Sequence, residues 1–305
     1  MSALICGSMA FDAIANYEGR FADVILPNQL HILNVSFFTP TMQQDYGGCA
    51  GNIAYSLKAL GGSPLILASV GNNCGQYLER LEKLGISTQY IKAFSDQYTA
   101  QCFIITDTSN NQINAFHPGA MNEAHQLSVP QDNDIKIGII APDGKQAMID
   151  HASQMKAAGI PFIFDPGQGL PMFDKDELLQ FIEQATWIAT NDYEAQLLCE
   201  RTGMTLEDIS NKVTDGALFV TLGAAGCDVW QQGNKTTVPS VEARQVVDPT
   251  GCGDALRAAL LYGLERDWPA VNCAKLGNLL GSIKIASRGP QNHEIPSEVV
   301  NTFKP

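Results

Sequence analysis

The chain has 305 residues, a formal net charge of -13 at pH 7 and 45% hydrophobic residues. That apolar content is enough to bury a large core, while the acidity and the lack of any Lys/Arg cluster exclude a nucleic-acid or anionic-membrane surface. No basic leader precedes Ala3-Leu4-Ile5-Cys6 and no apolar run approaches a membrane span, which places the protein in the cytoplasm.

Leu4 to Gly7 reads as a buried strand, and Asp12 lies where the first strand of an open α/β sheet ends, a position beyond which ligands bind. A carboxylate there suits sugar hydroxyls. Residues 13–46 then break the strand-helix rhythm, with turns at Glu18-Gly19-Arg20 and Leu26-Pro27-Asn28 and one strand-like run at Val35 to Phe38. An excursion of this length reads as a lid. Gly47-Gly48 opens a helix through Leu60 whose apolar face is Ile53, Leu57 and Leu60. The paired glycines allow a ligand close to the backbone, with Asn52 near the helix start; a plain hinge is the alternative.

Leu65 to Val70 reads as a strand and Gly75 to Leu84 as a helix. Thr99 to Thr106 and Gln112 to Phe116 flank the polar turn 107–111 as a hairpin, the second half of the lid. Phe116 on such a lid would stack on a planar ligand, although core packing is the commoner use of phenylalanine. From Ile135 onward strands (Ile137 to Ala141, Pro161 to Asp165, Trp187 to Thr190, Ala217 to Leu222) alternate with helices (Gln146 to Ala158, Glu177 to Gln184, Asp192 to Arg201, Leu206 to Lys212). That rhythm means crossovers and a parallel sheet. The predicted class is α/β, a central mostly parallel sheet flanked by helices: residues 1–12, 47–94 and 121–305 form the core, 13–46 and 95–120 the β-rich lid.

Several candidates stand at strand ends. Asp165-Pro166-Gly167-Gln168-Gly169 is a turn able to project Asp165 and Gln168 into a cleft. Asn191 and Glu194 open a helix, where Asn191 also serves as an ordinary N-cap. Thr221 and the glycines Gly223 and Gly226 put a hydroxyl and amides at phosphate height. Further on, Val271 to Ser287 reads as a helix with Asn278 its odd polar member.

The richest stretch is Val247-Asp248-Pro249-Thr250-Gly251-Cys252-Gly253-Asp254, which leads into an apolar helix through Leu264. Pro249 forbids an earlier helical start, and the glycines let the amides from Gly251 to Asp254 converge on one anion at a helix N-terminus. A carboxylate at that spot competes with the anion, so its economical role is to take a proton from a hydroxyl that attacks the anion, which is phosphoryl transfer. The bland alternative is a glycine turn with Asp254 capping the helix. The eight scattered cysteines lack any Cys-x-x-Cys pair and read as reduced thiols rather than a zinc site.

Asp248 to Ala255 resembles the carboxy-terminal signature of the ribokinase-like carbohydrate kinases, the PfkB family. Gly47-Gly48 through Asn52, Asn191-Asp192-Tyr193-Glu194, and Thr221 to Gly226 match its other motifs in order, over essentially the whole chain. The resemblance implies transfer of the ATP γ-phosphate to a primary hydroxyl. It makes Asp254 the base, and the amides of Gly251, Cys252 and Gly253 the anion hole; Cys252 stands where many members carry alanine. Asp12, Gly47, Gly48 and Asn52 would bind ribose hydroxyls, while Thr221, Gly223 and Gly226 would hold ATP with Asn278 near its adenine. Asn191 and Glu194 would organise Mg2+ through water, and Asp248 with the Thr250 carbonyl match positions that ligate a monovalent cation, K+, in some members.

Gly19-Arg20-Phe21, Phe116 to Met121 and Phe164 to Gly169 are most similar to nucleoside kinases of the adenosine-kinase type, which implies purine salvage and contacts from Phe116, Asp165 and Gln168 to the nucleoside. A free-sugar kinase of the same family is the alternative, and a non-catalytic nucleotide-sensing protein the alternative of another class. Lids in this family often pair, so a homodimer through the lid is expected. A dinucleotide fold is excluded by the missing Gly-x-Gly-x-x-Gly, and a Walker NTPase by the missing Gly-Lys-Ser/Thr.

Overall fold

Apolar strand sequences and amphipathic helices alternate along most of the chain, and the fold follows from that alternation. The computed structural model describes residues 2–25, 32, 34–109, 111–213 and 216–302, so the predicted turn Leu26-Pro27-Asn28 and Asn110 lie outside the described residues. The chain opens with β1 (Ser2–Cys6), β2 (Ala10–Asn16), α1 (Phe21–Val24), β3 (Thr41–Gly47) and α2 (Cys49–Ala59). It continues through β4 (Pro64–Gly71), α3 (Gly75–Lys83), β5 (Ile91–Phe94), β6 (Ala100–Thr106), β7 (Gln112–His117), β8 (Ile135–Ile140) and α4 (Lys145–Ala157). Then come β9 (Phe162–Phe164), α5 (Lys175–Gln184), β10 (Trp187–Asn191), α6 (Asp192–Thr202), α7 (Leu206–Lys212) and β11 (Ala217–Thr221). The chain finishes with β12 (Cys227–Gln231), β13 (Asn234–Val238), α8 (Cys252–Leu264), α9 (Ala270–Lys284) and α10 (Ser297–Thr302).

The large sheet has the order β13-β12-β11-β10-β9-β8-β1-β4-β5, parallel except at β12 and β13. Ala3, Leu4, Ile5 and Cys6 of β1 are all buried, the signature of a strand covered on both faces. One face packs against α2, α8 and α9 through Ile53, Leu57, Leu260 and Leu276. The other packs against α4, α5 and α6 through Met148, Leu178, Phe181 and Leu198. From β1 the chain winds first towards β4 and β5, then crosses to β8 and onward, so the order reverses between β1 and β8, and ligands bind beyond the carboxyl ends of such a sheet. No helix among the described residues is long and apolar enough to cross a membrane.

The second sheet has the order β3-β2-β6-β7, with β2 and β6 parallel and the outer pairs antiparallel. It corrects two expectations. Asp12 is not at the end of the first core strand, which stops at Cys6, but inside β2 of this small sheet; Val35 to Phe38 forms no strand. β3 (Thr-Met-Gln-Gln-Asp-Tyr-Gly) is too polar to show an apolar run, and the short β12-β13 hairpin escaped notice because Asn234 to Thr237 face solvent.

Gly48 joins the two sheets. Its φ is 82°, and a Cβ there would lie 2.5 Å from the Ser8 carbonyl oxygen. Gly48→Ala is therefore expected to lower stability by roughly 1–3 kcal/mol, read as a fall in Tm. It should also loosen the Cys49 amide from Ser8 Oγ, now 3.2 Å away. A Tm equal to that of the parent would show that the junction tolerates a side chain.

Candidate active site

Helix α8 begins because Gly251 takes a left-handed conformation, φ 82°, which turns the chain after Pro249 and starts the helix at Cys252. Asp254 is the third helical residue. Its carboxylate does not simply cap the helix: Asn52 Nδ2, from α2, donates to Asp254 Oδ2 at 2.9 Å across 202 residues of chain. The Cys252 amide donates to the Pro249 carbonyl at 3.1 Å, so the turn itself consumes this member of the expected anion hole. The amides of Gly251, Gly253 and Asp254 are left without a partner among the described residues. They form a cluster of N–H donors at a helix N-terminus, suited to an anion.

The small sheet supplies the facing wall. Its register puts Asp12 opposite Asp45 on one side and Cys102 on the other, with Phe116 opposite Cys102. Paired residues share a face, so Asp45, Asp12, Cys102 and Phe116 form one row. Phe116 is 53% exposed along that row. A Cβ at Gly47 would meet Asp12 Oδ2 at 2.5 Å, so a side chain there would displace the Asp12 carboxylate. Asp45 was not foreseen from sequence; only its pairing with Asp12 reveals it.

A hydrogen-bond chain ties this wall to Asp254. Tyr77, fully buried on α3, donates its hydroxyl to the Gly47 carbonyl at 2.8 Å. Gln291 Nε2 donates to the Tyr77 oxygen at 2.6 Å and to Asn52 Oδ1 at 3.0 Å. Asn52 is thereby fixed with its amide hydrogens towards Asp254. Neither Tyr77 nor Gln291 carries a sequence signal, since they become neighbours only through folding.

Burial pushes the Asp254 carboxyl up to about 6; the Asn52 hydrogen bond and Arg257 pull it down, while Asp165 and Asp12 add to the rise. Asp12 is likewise raised to about 6, by burial and then by Asp45 and Asp248. The two carboxylates thus share one pocket.

Asp165 does not project freely into a cleft as the sequence suggested. It is buried, and Arg257 from α8 donates to its Oδ1 at 2.9 Å, with Glu194 Oε2 4.0 Å from the same guanidinium nitrogen. Arg257 is itself buried and sits one turn after Asp254, so it braces the ends of β9 and β10 against the helix carrying Asp254. An arginine inside the apolar run Ala255-Leu256-Arg257-Ala258-Ala259 was the available sign. Gln168 is exposed nearby in sequence, after the Asp165 turn.

At the neighbouring strand ends, Asn191 and Thr221 are register partners on β10 and β11. Asn191 and Glu194 form a capping box: the Glu194 amide donates to Asn191 Oδ1 at 2.7 Å, and the Asn191 amide to Glu194 Oε2 at 2.8 Å. The N-cap alternative is therefore realised alongside the strand-end position. Gly223 and Gly226 follow β11 with φ of 55° and 106°, and a Cβ at Gly226 would strike the Val238 carbonyl at 2.1 Å. Asn278, buried, donates to the Val238 and Pro239 carbonyls at 3.1 and 2.9 Å. Both of its bonds hold the chain that backs Gly226, so its amide hydrogens are spent on the frame of this end.

Asp248 accepts the Thr250 amide at 2.9 Å on Oδ1 and the Gly289 amide at 2.8 Å on Oδ2. Burial raises its carboxyl, but those N–H groups and Lys284 more than offset this, leaving it below the ordinary carboxylate value. Lys284, 0% exposed at the end of α9, donates to the Asp248 carbonyl at 2.8 Å and the Ser287 carbonyl at 3.1 Å.

A raised carboxyl binds its proton more tightly folded than unfolded. Asp254 therefore costs stability progressively as pH rises above the ordinary carboxylate range, with the full cost present above about 6. Asp254→Asn keeps an acceptor for Asn52 and removes the charge. Denaturation near neutral pH should find the variant more stable by roughly 1–3 kcal/mol, and the gain should vanish near pH 4. A variant less stable at both pH values would contradict this account of the pocket.

Residues 3–298 match the family described as pfkB family carbohydrate kinase. The nucleoside kinase of Methanocaldococcus jannaschii is 30% identical over 298 residues, covering 96% of this chain and 93% of its own. The Burkholderia thailandensis nucleoside kinase solved with inosine superposes with a TM-score of 0.88 at 45% identity, covering 99% of this chain and 96% of its own. The same protein solved with ADP-inosine gives 0.85 at 46% identity, covering 99% and 94%. A helix start with unpaired amides, a carboxylate held beside it by Asn52 and this whole-length match lead to one conclusion: the chain belongs to the pfkB family of carbohydrate kinases and is an ATP-dependent kinase.

Proposed function

We propose that the enzyme transfers the γ-phosphate of ATP to the 5′-hydroxyl of a ribonucleoside, with Asp254 as the general base. The observation that carries this reading is Asp254 held by Asn52 beside three unpaired amides, with Asp12 close enough to influence its charge. Asp12, Gly47 and Asn52 receive the ribose, and Phe116, on the Asp12 row, stacks on the base. The inosine complexes of the Burkholderia protein support a nucleoside over a free sugar, and adenosine is the natural second purine.

Asp254 takes the hydroxyl proton as the oxygen attacks. A carboxyl raised to about 6 is ionised at neutral pH yet more basic than an ordinary aspartate. Charge growing on the transferring group is received by the Gly251, Gly253 and Asp254 amides. The small sheet closes as a lid, excluding water that would otherwise compete as acceptor. ATP lies along Thr221, Gly223 and Gly226, whose backing strand Asn278 anchors. Asn191 and Glu194 would hold Mg2+ through water. Mg2+ supplies neutralisation of phosphate charge.

The face of the small sheet opposite Asp12 carries Met42, Phe103 and Ile113, exposed by 73, 47 and 39%. We read it as covered by a second copy, giving a homodimer through the lid. ATP as co-substrate and eight unbridged cysteines fit the cytoplasm.

ADP release should be measured with adenosine, inosine, cytidine, ribose and fructose 6-phosphate. The nucleosides are expected to exceed ribose in kcat/KM by at least about 10-fold. Ribose outperforming every nucleoside would replace this reading with a sugar kinase. Asp254→Asn should lose roughly 1000-fold or more in kcat with little change in ATP affinity. In the parent, kcat/KM should fall as pH drops through about 6, because the base becomes protonated. A flat profile down to pH 5 would remove Asp254 from the role.

A further inference from the structure

The resemblance to the family implies a monovalent cation at Asp248 and the Thr250 carbonyl, yet the groups at that place do not fit one. Both carboxylate oxygens of Asp248 are taken by the amides of Thr250 and Gly289. The Ile285 carbonyl accepts the amides of Val247 and Asp248 at 2.8 and 3.1 Å. The Asp248 and Ser287 carbonyls are taken by Lys284 Nζ. A buried ammonium placed there also repels a second cation in its surroundings.

Lysine is rarely buried without a reason, and Lys284 has no exposed surface at all. Burial lowers its pKa, while Asp248, Cys252, Asp254 and Asp45 pull it back towards the charged form. It emerges from the last turn of α9 and holds the segment that leads into Gly251 to the segment 287–289 that follows its own helix. A fixed positive charge between those two segments does what a bound monovalent ion does: it gathers carbonyls from both and sets the turn that aims the unpaired amides.

We propose that the ammonium of Lys284 is the built-in cation of this site, positioning the anion hole so that the enzyme works without potassium. Lys284 is a positioning residue; it acts through the turn at Pro249 to Gly251 and touches no reacting atom. The inference rests on the kinase reading for its kinetic half and is independent of it for its binding half.

The test exchanges the whole protein into tetramethylammonium chloride and compares it with KCl at equal ionic strength. The parent's rate of inosine phosphorylation should differ by less than about 2-fold between the salts, and its Tm by less than about 1 °C. Activation of about 10-fold by KCl, or a Tm several degrees higher in KCl alone, would overturn the proposal. Lys284→Met in tetramethylammonium should lose roughly 100-fold in kcat with a smaller change in KM. Addition of K+ or NH4+ should recover part of that loss in the variant only, an effect that mere loss of packing would not give. A variant as active as the parent in tetramethylammonium would also overturn it. If Lys284→Met does not fold, the parent's two salt comparisons still decide. If no acceptor is phosphorylated in any salt the proposed function fails, while the Tm pair still decides the cation.

Discussion

The site is governed by one electrostatic constraint: carboxylates from widely separated parts of the sequence converge at the carboxyl ends of the large sheet. Asp12 and Asp45 come from the small sheet, Asp165 and Glu194 from strand ends, and Asp248 and Asp254 from the approach to α8. Two buried cations, Arg257 and Lys284, stand among them, one braced on Asp165 and the other on backbone carbonyls. Removing either would leave uncompensated negative charge in a place that must also admit a polyphosphate. The balance is incomplete around Asp254, whose only direct side-chain partner among the described residues is a neutral amide, Asn52. A direct ion pair would quench it as a base; an amide orients it and leaves its basicity intact.

The scaffold translates that balance into position. Tyr77 and Gln291 join Gly47 at the end of β3 to Asn52, so the side chain that holds Asp254 is also tied to the small sheet. Arg257 joins the base helix to β9 and β10. Both braces are buried and hydrogen-bonded, so each resists distortion more than an exposed pair would. On the proposed function, activity and fold stability are in tension at Asp254, whose carboxyl is raised by burial.

Much of the fold was legible because buried parallel strands are near-continuous apolar runs, as in Leu4 to Cys6 and Ile135 to Ile140, and because Gly251 and Gly48 punctuate helix starts. Helix α7 was read at its observed bounds from Leu206 to Lys212. The small sheet was read less well: β2 and β3 are half-exposed and polar, so their pairing, not their composition, makes them strands. Asp12 was read at the end of the first core strand and lies instead inside β2. Asp45, Tyr77, Gln291 and Lys284 were invisible because their meaning lies in contacts made across long stretches of chain. Cys252 was expected to lend its amide, but a turn closed at Pro249 has first claim on it.

The row formed by Asp45, Asp12, Cys102 and Phe116 has an evolutionary corollary. Because adjacent strands are locked in register, the row that the proposed function assigns to sugar and base has its mutual spacing fixed by a ladder of main-chain bonds rather than by loops. Diversification of acceptor preference is thereby channelled into exchanging residues at alternate positions along a single face. The connecting loops remain free to lengthen or drift without disturbing the ruler against which an incoming acceptor is measured.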